Sequence, residues 1–166
     1  MSVDPSRAVQ RSIAVARHDI PTFEEVEADT SSTTEAGVVV VVASVIGSLG
    51  SLFTNGIGGF IATIVILLIG WFIWAWLSAF IAEKVFNVQT TDVGEMLRTT
   101  GYAYAPRVLG IVPFVGAFVG ALWSLVAIVI GMRQAGEMTT TQAIITAVVG
   151  FLPAVIAIGI VGAILT

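Results

Sequence analysis

The chain has 166 residues, 57% of them hydrophobic and 11% charged, with a mean hydropathy of +1.00, a net charge of −4 and no cysteine. Soluble domains carry about 25% charged residues, so this is the composition of a membrane protein. Without cysteine there are no disulfides, thiolate metal sites or iron–sulfur ligands, and a single histidine, His18, leaves an imidazole-bound haem or zinc without its usual partners. No P-loop, nucleophile elbow or zinc-protease motif occurs, and the bases are too scattered for a nucleic-acid surface. No catalytic residue, metal, cofactor or nucleic-acid partner is expected.

Charge is concentrated at the start. Residues 1–35 hold Arg7, Arg11 and Arg17 against seven acids, whereas the rest of the chain balances four bases with four acids. This tail has no apolar signal-peptide core and is expected to be retained as a cytoplasmic segment. Asp4-Pro5 reads as a helix start, after which Val9, Ile13, Ala16 and Ile20 share one face and Arg7, Arg11 and His18 lie opposite. The pattern predicts an amphipathic helix on the membrane surface, with Arg7 and Arg11 near anionic headgroups. Pro21 is expected to stop it, Thr22-Phe23-Glu24-Glu25 to cap a short acidic turn, and Thr30–Thr34 to form a linker.

The remainder, residues 36–166, reads as an all-α polytopic bundle. Residues 36–82 are uncharged; as one helix they would run about 70 Å, more than twice the hydrocarbon thickness, so the run must fold back. The break falls at Thr54-Asn55-Gly56-Ile57-Gly58-Gly59, giving spans near 36–54 and 59–84. Two later apolar runs give spans at 115–133 and 140–165. Residues 93–112 carry Arg98, Pro106 and Arg107 and fit either a short crossing helix or a re-entrant segment. Five spans with the N-terminus inside place Arg7, Arg11, Arg17, Lys84, Arg98 and Arg133 on the cytoplasmic side, with Arg107 the exception, and this topology is preferred over four spans plus a re-entrant segment. Ser32-x-x-Glu35, Asp92-x-x-Glu95 and Thr139-x-x-Gln142 each read as a capping box at the inner boundary.

Small residues fall in register on two spans: Gly37, Ser44, Gly47, Ser48 and Ser51 on the first, and Gly116, Gly120, Ser124, Ala127 and Gly131 on the fourth. Such faces let backbones approach closely, either within one bundle or between two copies. Trp71, Trp74 and Trp76 cluster in the second span, where aromatic rings serve packing more often than a bound cofactor. Pro153 is expected to kink the last span. Thr100, Tyr104 and Arg107 would form a polar stripe on the third, with Arg107 either facing the bundle interior or anchoring to outer headgroups.

At these residues the chain resembles the YIP family, polytopic membrane proteins named for interaction with Ypt/Rab GTPases. The resemblance is carried by Gly101, Tyr102 and Pro106 of a G-Y-x-x-x-P pattern, the turn at Val112, Pro113 and Gly116, Trp123, and Gly131-Met132-Arg133 before a Thr-capped helix with Ala143. Phe23-Glu24-Glu25-Val26-Glu27-Ala28-Asp29 is similar to a stretch of the family's bacterial and archaeal members. It implies five spans and a cytoplasmic N-terminus. The eukaryotic D-L-Y-G-P motif is missing, so the resemblance points to the prokaryotic branch and away from a Rab-type GTPase partner. The functional expectation is a non-catalytic scaffold or membrane-organising protein of the cell membrane, whose partners are lipids and other membrane proteins or itself. The alternatives are a small accessory subunit of a larger complex, or a channel or transporter using Thr100, Tyr104 and Arg107.

Overall fold

The computed structural model describes residues 3–88 and 92–165, apart from the side chains of 153–155 and 157–165. All regular structure among the described residues is helical: α1 Pro5–Ala16, α2 Ile20–Ala28, α3 Ser32–Phe86, α4 Val93–Tyr102, a 3-10 helix Ala105–Ile111, α5 Val115–Ala135 and α6 Thr140–Leu165. The expected kink at Pro153 lies outside the described side chains.

In the tail, α1 starts as anticipated. The Asp4 carboxylate accepts from the backbone N–H of Ser6 and Arg7, and Pro5 occupies the first turn, where its missing N–H costs nothing. The stop differs from expectation: α1 ends at Ala16, followed by His18 at φ 63°, and Pro21 sits in the first turn of α2. Asp19 caps that helix, taking hydrogen bonds from the N–H and hydroxyl of Thr22, so Thr22 is capped rather than capping. The expected linker is also shorter, because α3 begins at Ser32.

α3 runs for 55 residues but is two arms meeting at Gly56, whose φ of 67° and ψ of −165° lie in a region open essentially to glycine alone. The arms fold back on each other. Gly101 packs on Ala36 while its neighbour Thr100 accepts a hydrogen bond from Trp71; along a straight helix those two α3 residues would be about 52 Å apart. Among the described residues, two helices are long and apolar enough to cross a membrane, Ser32–Phe86 and Val115–Ala135, rather than five. The difference has local causes. The Gly56 bend joins two expected spans into one helix, residues 93–112 are broken, and the described apolar part of α6 runs only to Leu152.

The break in 93–112 comes after Tyr102. α4 opens with a complete capping box between Asp92 and Glu95, Ala103 and Tyr104 interrupt the α-helical ladder, and the 3-10 helix follows with Pro106 in its first turn. This broken segment is held between the first arm of α3 and α5. At the start of α6, Thr139 and Gln142 form the other expected box, but at α3 none forms: Ser31 makes no side-chain cap, and Ser32 and Glu35 bind tail residues instead.

One core unites tail and bundle. Val15, Phe23 and Val26 of the tail are wholly buried with Ala36 and Val40 of α3, Met96 and Tyr102 of α4, and Ile128 and Met132 of α5. The tail therefore folds onto the bundle.

Candidate functional site at the tail–bundle junction

Where α1, α2 and α3 meet, charged groups are taken out of water in a concentrated cluster. Arg11 has a side chain 7% exposed and Glu35 one 2% exposed. Arg11 donates through Nη1 to Glu35 Oε2 at 3.1 Å and to Ser32 Oγ at 2.8 Å, and through Nη2 to Glu25 Oε1 at 2.5 Å and Asp29 Oδ2 at 3.0 Å. Arg7 pairs with Glu35 Oε1, and the Tyr102 hydroxyl donates to Glu35 Oε2 at 2.8 Å. Every oxygen of the buried Glu35 carboxylate is thereby engaged, which is the condition for burying charge at tolerable cost.

Helical spacing explains the match. Arg7 and Arg11 lie four residues apart on α1, and Glu25 and Asp29 four apart across α2 and its C-cap, so each pair occupies one helix face. The hydroxyl and N–H of Ser31, with Ser32 and Arg11, hold the Asp29 carboxyl well below the usual carboxylate range. Glu27 is pushed the other way, up to about 7, by burial and then by Glu95, Glu137 and Glu24, against a smaller opposing effect of Arg98.

A second clamp lies beside the first. Arg98, 5% exposed, donates to the backbone carbonyls of Val26 and Glu27, the open C-terminal end of α2, and to Thr33 Oγ1. A cation here complements the negative end of the α2 dipole as well as its free carbonyls. Phe23 inserts against Gly131, where a Cβ would stand 3.2 Å from both the Phe23 ring and Thr99. The stretch from Phe23 to Asp29 is thus the part of the tail that docks.

Several expected site residues are placed elsewhere than their patterns suggest. Arg11 turns inward to carboxylates rather than outward to lipid, because Glu25, Asp29 and Glu35 offer it four hydrogen bonds and the Ser32 hydroxyl a fifth; Arg7, with its side chain 44% exposed, keeps one face in the open. It is Val9 and Ile13 that point outward from α1. Of the polar stripe, Thr100 and Tyr104 are buried, and the Arg107 guanidinium lies 4.6 Å over the Tyr104 ring, a cation–π contact. Gly101 packs on Ala36 and Pro106 is buried against Gly120.

The small-residue faces enclose the broken segment. A Cβ on Gly47 would fall 2.3 Å from the Arg107 carbonyl oxygen, one on Gly116 2.0 Å from that of Leu109, and one on Gly120 2.6 Å from that of Pro106. Ser44, Ser48 and Ser124 are buried in the same seams, while Gly37 has nothing within 4 Å. The tryptophans are spent on packing. Trp71 donates to Thr100 Oγ1, Trp74 donates to the Ala147 carbonyl and tilts against Phe151, and Trp76, 49% exposed, stacks on Phe80.

Comparison with known proteins fits this architecture. The model of the Yip1 domain matches residues 13–164. The chain belongs to the Yip1 domain family. No curated protein and no solved structure matches it significantly. Its family is one of membrane proteins, and the matched region begins inside α1, so it takes in the docked part of the tail together with the bundle.

Two residues at the heart of the junction, Glu35 and Arg98, escape a reading by motif. Glu35 resembles the last member of a capping box, and Arg98 resembles a loop charge. The signal that marks them is charge arithmetic: two bases and two acids at matched helical spacing, plus single charges at the mouths of long apolar runs.

Proposed function

We propose that this Yip1 domain is a non-catalytic membrane scaffold with five spans and a cytoplasmic N-terminus in the cell membrane, working through protein partners. The observation that carries the reading is the double clamp, Arg11 on Glu35 and Arg98 on the end of α2, which fixes the tail over the inner ends of three helices. A clamped tail presents a constant surface, including the exposed Glu24 and Glu25 of α2, and a constant surface is what a scaffold offers.

The five-span reading is supported by lengths. α4 and the 3-10 helix together would extend about 29 Å, near the thickness of a hydrocarbon core. Gly101 lies at the level of Ala36 and Gly110 at that of Gly47, so the broken segment runs alongside the first arm of α3 in the same direction. With the arms of α3 antiparallel, Arg98 and Arg133 then share the side of the tail, in keeping with the distribution of positive charge.

Affinity purification in mild detergent after crosslinking in native membranes tests the function. A scaffold yields a defined protein partner, or a defined homo-oligomer, whose recovery falls when Arg11→Ala loosens the tail. Monomer alone, with nothing captured, overturns the proposal. A partner set of fixed stoichiometry that ignores Arg11→Ala marks an accessory subunit instead and also overturns it.

A further inference from the structure

Beneath α1 lies an apolar cavity of about 470 Å³, walled by α1, the first arm of α3, the 3-10 helix and Trp123 of α5. Val9 and Ile13 form its roof, Val42 one side, and Val108 and Leu109 its floor. Ser12 is the polar side chain of its lining besides the Trp123 indole, and both are occupied: the Ser12 hydroxyl donates to the Ala8 carbonyl and the indole N–H to the Ala16 carbonyl at 2.7 Å. The lining side chains thus offer no free donor, and their one free acceptor is the Ser12 hydroxyl oxygen.

Two of the walls are the helices long and apolar enough to cross a membrane, and Val9, Ile13 and Val42 are each about half exposed, so the cavity opens sideways into the bilayer. Water needs about 2–4 polar partners and finds only the Ser12 oxygen there, and a peptide segment would bury most of its backbone N–H groups without partners. An empty space of this size forfeits the dispersion contacts of its whole lining. A cation next in sequence to the lining is complementary to an anionic lipid headgroup. Arg7 lies within one turn of the lining residues Pro5 and Ala8; its Nε and Nη2 go to Glu35, while Nη1 has no partner among the described residues and the side chain is 44% exposed.

We propose that this cavity holds one acyl chain of an anionic membrane phospholipid, with the lipid phosphate at Arg7 and α1 as the strap across the chain. Filling with a hydrocarbon chain restores the missing dispersion contacts, and Arg7 adds a charge-assisted hydrogen bond that selects phosphate at the mouth. The site depends on residence in a membrane and not on the scaffold reading, so either can fail alone.

The test uses the full chain reconstituted in vesicles of phosphatidylcholine and phosphatidylglycerol, the latter carrying a photoactivatable diazirine in its acyl chain. Crosslinks mapped by mass spectrometry are expected to concentrate on Val9, Val42 and Val108 over lipid-facing Val149. Val42→Trp and Val9→Trp, which fill the space from opposite sides, each reduce crosslinking there about tenfold, the change carried by about 1.4 kcal/mol of binding. Val149→Trp leaves it unchanged. Arg7→Gln lowers the preference for phosphatidylglycerol over a diazirine-bearing phosphatidylcholine. Uniform labelling of all lipid-facing positions overturns the proposal, as does labelling that persists in both filling variants while they remain folded and monodisperse.

Discussion

At the residue scale, stability at the junction turns on charges that cannot be left alone. Removing Arg11 leaves the buried Glu35 carboxylate with Arg7 and Tyr102 alone and takes the cation from Asp29 and the more exposed Glu25, so the cost lies below the about 3–5 kcal/mol of a buried charge left with no partner. Arg11→Ala is expected to free the tail, seen as rapid cleavage of residues 1–31 by limited proteolysis in detergent, with the bundle left resistant. Arg17→Ala, which breaks no ion pair among the described residues, serves as the control. Docking also depends on pH. The folded state holds the Glu27 proton more tightly than the free chain, up to about 7 against an ordinary 4.5, so docking weakens as pH rises from 4.5 through 7. Asp29 acts in the opposite sense, its contribution being lost as pH falls below the ordinary carboxylate range. Protection of the α2 amides, relative to their intrinsic exchange rate, is therefore greatest at mildly acidic pH, and Glu27→Gln is expected to remove the loss of protection toward pH 7 and above. An unchanged profile in Glu27→Gln contradicts the assignment.

At the scale of elements, the bundle depends on backbone approach around the broken segment. Gly47→Ala and Gly116→Ala each drive a methyl into a carbonyl oxygen, and overpacking of this kind costs about 1–3 kcal/mol. Gly37→Ala, into open space on the same arm as Gly47, is expected to be neutral or slightly stabilising through helix propensity. Thermal unfolding in detergent followed by circular dichroism separates the two classes. Gly56→Ala is destabilising for a different reason, since its backbone lies where an alanine is strained by about 1–3 kcal/mol. These elements were legible in the sequence to unequal degrees. The turn near Gly56 and two of the three capping boxes follow from residues within one turn, and the small residues in register follow from the period of a single helix. The break after Tyr102 and the fate of Ser32 and Glu35 do not, because they are decided by what arrives from elsewhere in the chain: α5 against the 3-10 helix, and Arg11 against Glu35.

For the molecule as a whole, the amphipathic pattern of α1 marks a two-faced helix but leaves open which face meets the rest of the chain. Apolar Val9 and Ile13 and basic Arg7 and Arg11 would suit a helix lying on anionic lipid. The same pattern suits a helix whose bases turn into the protein and whose apolar residues turn outward, as Arg11 and as Val9 and Ile13 do here. The choice rests on Glu25, Asp29 and Glu35, distant in sequence and brought together by the α1–α2 hairpin and the start of α3. Tail and bundle then share one core and one set of ion pairs.

A chain without native cysteine can be spin-labelled cleanly at Gln10→Cys and Thr140→Cys, two exposed positions on the tail and at the start of α6. Their separation measured by pulsed electron–electron resonance in liposomes reports docking directly. A clamped tail gives a single narrow distance distribution that broadens when Arg11→Ala is added, whereas a broad distribution already present in the unmutated background contradicts a docked tail.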